Sequence, residues 1–276
     1  MSKSALLITG RPVRNSNITH TETYQGLLRC FPKDKYDYYF QTWENNKEWK
    51  TFFHENQIEG PCYLYPEPIP YNSFINYGKK HPDIPDQSFN PNYRPLQWFI
   101  FGDKYSIDPY VIHKHNQIVG TALLIDEIEK RVPKLYDSYV RTRWDLILDN
   151  QYTNWDYYNE NVKKKPRNLF GFESPKPVGK IGTRYFPVQH RFHDDSMSDY
   201  YLPDLVIFFN RTAMNAQLVL DVNARGNIIA AEWGWGQALK YLSPLDTNIH
   251  MFESSDVFVA RHVNEDPKYA LRNNIK

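Results

Sequence analysis

Arg141, Arg143 and Asp145 stand at alternate positions in a segment that otherwise reads as a buried strand, among Tyr139, Val140, Trp144, Leu146, Ile147 and Leu148. Aromatic and branched residues favour a pleated, half-buried strand, and a charge left there without a partner is costly. Alternate side chains of an extended chain share one face, so two guanidinium forks and a carboxylate aim at one place. That set suits a phosphate, a divalent cation on Asp145, or both. An internal Arg–Asp ion pair closing the end of a sheet satisfies the same residues and stays open beside them.

Other chemistry-bearing residues are scattered. Glu232 precedes an aromatic, glycine-rich turn, Trp233 to Gly236, suited to stacking on a sugar or base, with a capping carboxylate and two packed tryptophans as the plainer alternative. Asp194, Asp195 and Asp199 form an acid-rich stretch that is either a rival source of a general base or a solvated loop. His113 and His115 would share a side of an extended segment, without an adjacent acid. Lys163 to Arg167 is a basic run for an anionic acceptor or simply a solvated loop. Cys30 and Cys62 match no zinc or redox spacing and read as buried thiols.

The elements that must position these groups alternate in type. Ala5 to Gly10 is a short apolar run closed by glycine, the form of a first parallel strand entering a ligand-facing loop, where Arg11 and Arg14 stand. A helix is expected over Thr21 to Phe31, a strand over Tyr36 to Trp43, a helix over Asn46 to Gln57 and a strand over Cys62 to Tyr65. Helical spacing returns from His115 to Val132, before the Arg-Thr-Arg-Trp-Asp strand. Further on, Asp204 to Phe209 reads as a strand, Thr212 to Val222 and Gln237 to Leu242 as helices, and Asp256 to Val263 as a last strand. Alternating strands and helices imply a mostly parallel sheet covered on both faces. Two stretches, about 66–109 and 149–203, lose the pattern and are expected as long irregular insertions in one domain spanning 1–276.

Bulk properties narrow the partners. With 33 basic and 32 acidic residues the formal charge is +1, so no global field announces a polyanion. No stretch approaches the roughly 20 apolar residues of a membrane span, and the first residues are too short an apolar run for a secretory signal, which sets the expectation of a cytoplasmic chain, in the host cytoplasm if viral. The sequons at Asn17 and Asn210 carry no weight without secretion.

The Leu6 to Arg11 strand end, the Tyr36 to Trp43 strand, the following helix and the Tyr136 to Asp145 segment together resemble a group of glycosyltransferases of the GT-A type from bacteriophages, large viruses and bacterial surface-polysaccharide loci, whose recurring pattern is a Gly after the first strand and Arg-x-Arg-x-Asp on a central one. The likeness covers roughly 1–65, 110–148 and 204–263. It implies a GT-A-like, Rossmann-like α/β fold and transfer of a hexosyl or pentosyl group from a nucleotide sugar, a UDP-sugar first among the donors. Thr9, Gly10 and Arg11 would meet the nucleotide diphosphate with Arg141, Arg143 and Trp233. Asp145 would stand for the last acid of the family's Asp-x-Asp motif and, with His262, hold Mn²⁺ or Mg²⁺. The first acid of that motif is Arg143 here, so the metal would have fewer protein carboxylates, or an arginine would partly replace it. Glu232, or else Asp195, would be the base for the acceptor hydroxyl. The acceptor would be a glycan or related saccharide; a hydroxymethylated base in phage DNA is the alternative, and a non-catalytic nucleotide-sugar or glycan-binding protein of the same fold is a third reading.

Overall fold

A computed structural model of the chain describes residues 3–12, 19–68, 109–132, 136–173, 202, 205–224, 235, 238–239 and 243–259. Its centre is a seven-stranded sheet of order β3-β2-β1-β4-β7-β6-β8, with β1 Ser4–Thr9, β2 Tyr36–Trp43, β3 Cys62–Tyr65, β4 Ser138–Arg143, β6 Asn168–Glu173, β7 Val206–Asn210 and β8 Asn248–Glu253. Only β7 runs against the rest: β4 and β6 both pair with it antiparallel, while β1 pairs parallel with β2 and β4, β2 with β3, and β6 with β8. A short β5, Leu146–Leu148, pairs antiparallel with β9, Val257–Val259, outside the main sheet.

Helices cover both faces, as the alternating pattern predicts. On one face α3, Pro109–Arg131, and α5, Ala216–Ala224, pack over Ala5, Leu7, Tyr139, Ile207 and Phe209 through Ile118, Ala122, Ile125 and Val219. On the other, α1 (His20–Cys30), α2 (Glu48–Glu55) and α4 (Trp155–Lys164) cover Leu6, Ile8, Val140 and Phe208. Strand alternation produces this partition: odd residues of β1 face α3, even ones face α1. Helix α1 starts on a capping box, Thr19 accepting from the Glu22 amide and Glu22 from the Thr19 amide. It crosses β5 so closely that a Cβ on Gly26 would stand 2.7 Å from the Leu148 carbonyl oxygen.

The α/β class and the first three strands agree with the sequence reading. The supposed irregular stretch 149–203 does not, since it contains α4 and β6. Helix α4 was obscured by a polar residue in its buried stripe of Trp155, Asn159 and Val162. Asn159 is there because it bridges strands: its Oδ1 accepts from Ser138 Oγ at 2.8 Å and its Nδ2 donates to Ser4 Oγ at 2.9 Å. Strand β8 was likewise not anticipated. Among the described residues no helix is long and apolar enough to cross a membrane.

Candidate functional site

From β1 the chain proceeds outward through α1 to β2 and β3, then returns through α3 to place β4 on the opposite side of β1. The carboxyl ends of β1 and β4 therefore flank the point where strand order reverses, the place where open parallel sheets bind ligands. Thr9 is paired with Arg143 in register at this edge. Gly10 follows with φ +105°, a conformation that side chains resist, so the chain bends at the end of β1.

Arg141 stands two residues below the end of β4 and has no exposed surface. Its Nε donates to Thr9 Oγ1 at 3.1 Å and its Nη2 to Gln117 Oε1 at 2.6 Å, and the guanidinium lies 4.8 Å from the ring centroid of the buried Trp235. Each hydroxyl has one proton, which orders the rest of the network. Thr121 Oγ1 donates to the Gln117 carbonyl at 2.9 Å, so across the 3.1 Å contact between the two threonines Thr9 is the donor. Arg141 thus fastens the exit of β1 to α3. On the neighbouring strand, buried Gln41 accepts from the Gly10 amide through Oε1 at 3.3 Å and from Trp144 Nε1 through its backbone oxygen at 2.9 Å, tying the exits of β1 and β4 to β2.

Strand β4 ends at Arg143 rather than running on through Asp145, which corrects the expectation of one extended face. Trp144 turns to the opposite layer and packs on Phe40, Phe52 and Phe53, with centroids 5.3, 5.0 and 6.4 Å away. Asp145 then folds back on the preceding guanidinium: Arg143 Nε donates to Oδ1 at 2.8 Å and Nη2 to Oδ2 at 2.6 Å, both side chains being 10% exposed. Both carboxylate oxygens are engaged. A dication on Asp145 would have to share the carboxylate with the guanidinium and be repelled by it, by about 8 kcal/mol at 4 Å and an effective dielectric of about 20. Among the described residues no three His, Cys, Asp or Glu side chains converge. Among the described residues a divalent cation would thus meet one carboxylate, already bound to a guanidinium, which is a poor fit.

Arg11 leaves the same edge and forms an ion pair with Glu67, whose side chain is 4% exposed. Glu67 also accepts from Asn45 Nδ2 at 3.2 Å and Asn116 Nδ2 at 3.1 Å. One carboxylate just past β3 thus gathers the exits of β1, β2 and β3 and helix α3 at this edge. Sequence reading missed Glu67, Gln41 and Gln117. Gln41 had a signal, a lone amide inside an aromatic strand; Glu67 lay in a stretch dismissed as irregular.

Glu232, Trp233, Asp194, Asp195, Asp199 and His262 lie outside the described residues. Trp235, from the same aromatic turn as Trp233, is packed in the core over Arg141. The backbone of His113 and His115 is in helix α3, not in the extended segment that the sequence reading assumed. His115 is buried with Nε2 2.9 Å from Asn223 Oδ1, and burial pulls its pKa down to about 4. Lys163 and Lys164 form the last turn of α4, where positive charge suits the helix dipole, and Lys163 pairs with Glu160 at 2.8 Å. Both cysteines are free thiols, and burial pushes the half-buried Cys62 up to about 12.

No protein family and no curated protein matches the sequence. Solved structures similar to this chain include a 4-diphosphocytidyl-2C-methyl-D-erythritol synthase from Anaerococcus prevotii, 9% identical, TM-score 0.46, covering 98% of this chain and 99% of that one. Others are mouse xyloside xylosyltransferase 1, 12% identical, TM-score 0.41, covering 91% and 85%, and a nucleoside-diphosphate-sugar pyrophosphorylase from Vibrio cholerae, 9% identical, TM-score 0.42, covering 97% and 98%.

Proposed function

We propose that this chain is a glycosyltransferase that moves a hexosyl or pentosyl group from a nucleotide sugar, a UDP-sugar first among the candidates, to a saccharide hydroxyl. The observation that carries the reading is the reversal of strand order at the carboxyl ends of β1 and β4, where Gly10 turns with positive φ and Arg143 sits in register with Thr9. A backbone that turns away at glycine lets a diphosphate approach the main-chain amides, and a guanidinium beside it matches phosphate oxygens.

In this reading Thr9, Gly10, Arg11 and Arg143 receive the diphosphate. Arg141, fully buried, acts by holding Thr9 and Gln117 in place. Glu232 is the base. Its support is chain distance: Trp235 is fixed over Arg141, and three residues span at most about 11 Å. Trp233, one residue on, is the stacking surface for the donor. The acceptor oxygen bonds to the anomeric carbon as the bond from that carbon to the diphosphate oxygen breaks. The hydroxyl proton passes to Glu232 and the electron pair leaves with the nucleoside diphosphate, whose growing charge the guanidinium groups stabilise in place. No step is assigned to Mn²⁺ or Mg²⁺, because the described side chains are a poor fit for one.

The test is a thermal-shift panel of UDP-, GDP-, CMP- and dTDP-sugars on the full chain, followed by release of free nucleotide with saccharide acceptors. One donor should raise the melting temperature, and Glu232→Gln should abolish turnover while leaving that shift intact. If no donor shifts the melting temperature and no nucleotide is released, the proposal is wrong. Release that requires hydroxymethylated DNA, and falls steeply with salt, would replace the saccharide acceptor with a modified base.

A further inference from the structure

Asp145 holds Arg143 as a two-point fork at the one place in the sheet where a ligand is expected, and this arrangement bears on how the leaving group is neutralised. Resting on the glycosyltransferase reading, we infer that Arg143, oriented by Asp145, is itself the cation that meets the diphosphate, so that donor binding and transfer proceed without a divalent metal.

Three observations support it. First, the pair is bidentate, with one donor nitrogen of Arg143 on each oxygen of Asp145, at 2.8 and 2.6 Å. Such parallel bonds fix the plane of the guanidinium as well as its position. Second, the turn that brings Asp145 back is anchored from the opposite layer. Trp144 donates to the Gln41 carbonyl at 2.9 Å and sits among three phenylalanines, so the fork stands on a rigid base. Third, Arg143 is opposite Thr9 in the β1–β4 register, one residue from the positive-φ Gly10, which puts it beside the main-chain turn that the diphosphate approaches. A metal ion on Asp145 would have to share the carboxylate with the guanidinium and be repelled by it. A guanidinium held this way gives localised positive charge with directed hydrogen bonds and needs no exchange of partners when the donor enters. Arg143 is then a catalytic residue, touching the leaving group, and Asp145 a positioning residue acting through it.

Titration calorimetry on the full chain tests this, using UDP, GDP, CDP and dTDP and their nucleosides, each in EDTA and in Mn²⁺. One diphosphate should bind with the same Kd, within about twofold, in both buffers. Arg143→Ala should weaken that diphosphate about 10- to 100-fold, the loss of one or two charge-assisted bonds, and leave the matching nucleoside unchanged. Arg143→Lys should recover part of the loss. Asp145→Asn should weaken the diphosphate severalfold and again spare the nucleoside. A structural role would lower the melting temperature of these variants without separating diphosphate from nucleoside, and that result would overturn the inference. So would diphosphate binding that appears only with Mn²⁺ and vanishes in Asp145→Asn; this leaves the glycosyltransferase reading standing. Absence of binding by every diphosphate in both buffers would overturn both. The EDTA and Mn²⁺ arms use the wild-type chain, so the inference stays refutable even if Arg143→Ala does not fold.

Discussion

Replacing Gln117 with leucine isolates the network beneath the strand ends, because it removes one acceptor and leaves the cation in place. Arg141 Nη2 donates to Gln117 Oε1 at 2.6 Å from a side chain with no exposed surface, so no water replaces the lost acceptor in the folded state. A hydrogen bond to a charged group contributes about 1.5–3 kcal/mol, and leaving the buried N–H without an acceptor puts the loss toward the upper part of that range. Leucine keeps nearly the same volume and helix preference, which returns a small part of this. The net expectation is a destabilisation of roughly 2–3 kcal/mol, equivalent to a fall of about 3–5 °C in melting temperature for a chain of this size. Urea denaturation of wild type and Gln117→Leu measures it, with a lower midpoint and an unchanged slope as the expected outcome. The donor that binds wild type should also bind the variant more weakly, since Arg141, which holds Thr9, loses its bond to α3. A loss under about 0.5 kcal/mol at unchanged slope would refute the assignment of Arg141 to this network.

His115 is buried with its pKa drawn down to about 4. Between the ordinary value near 6.5 and 4 the unfolded chain binds a proton that the folded chain refuses, so stability falls as pH drops through that window. The full effect is roughly 3 kcal/mol, and urea midpoints at pH 7.5 and 5.0 should differ more for wild type than for His115→Gln; equal differences would dispose of the argument. Gly10→Ala has room for its methyl, with Gln117 Cγ 3.8 Å away, yet must hold φ at +105°. It should cost about 1–2 kcal/mol from the backbone alone and weaken donor binding, as urea midpoints and thermal shifts would record. Gly26→Ala sets an added Cβ against the Leu148 backbone at 2.7 and 2.9 Å. Overpacking of about 1–3 kcal/mol should exceed the helix-propensity gain of about 1 kcal/mol, so a variant more stable than wild type would show that α1 can shift away from β5.

Legibility followed how local the signal was. Strands β2 and β3 were readable to the residue, since aromatic runs bounded by charged residues or by proline specify strands without reference to the rest of the chain. The importance of Arg141, Arg143 and Asp145 was also visible, because charges inside an apolar strand demand compensation wherever they fold. What compensates them was not visible. Gln117 is 24 residues before Arg141 in the chain and Thr9 is 132 before it, and no spacing rule connects them. Helix α4 was hidden for a related reason: Asn159 breaks an apolar stripe that becomes intelligible only when the serines of β1 and β4 are beside it.

The sequence by itself determined the alternation of strands and helices, hence a mostly parallel sheet with covered faces, and it determined that charge gathers at the end of β4. Tertiary structure decided which of those charges face each other. Trp144 fits a pocket of phenylalanines on one layer, and that single packing choice ends β4 and turns Asp145 onto Arg143. Propensity acts residue by residue along the chain. The choice between an open carboxylate and one gripping its neighbour depends on groups brought together across the sheet, where burial makes each partner's identity count for several kcal/mol.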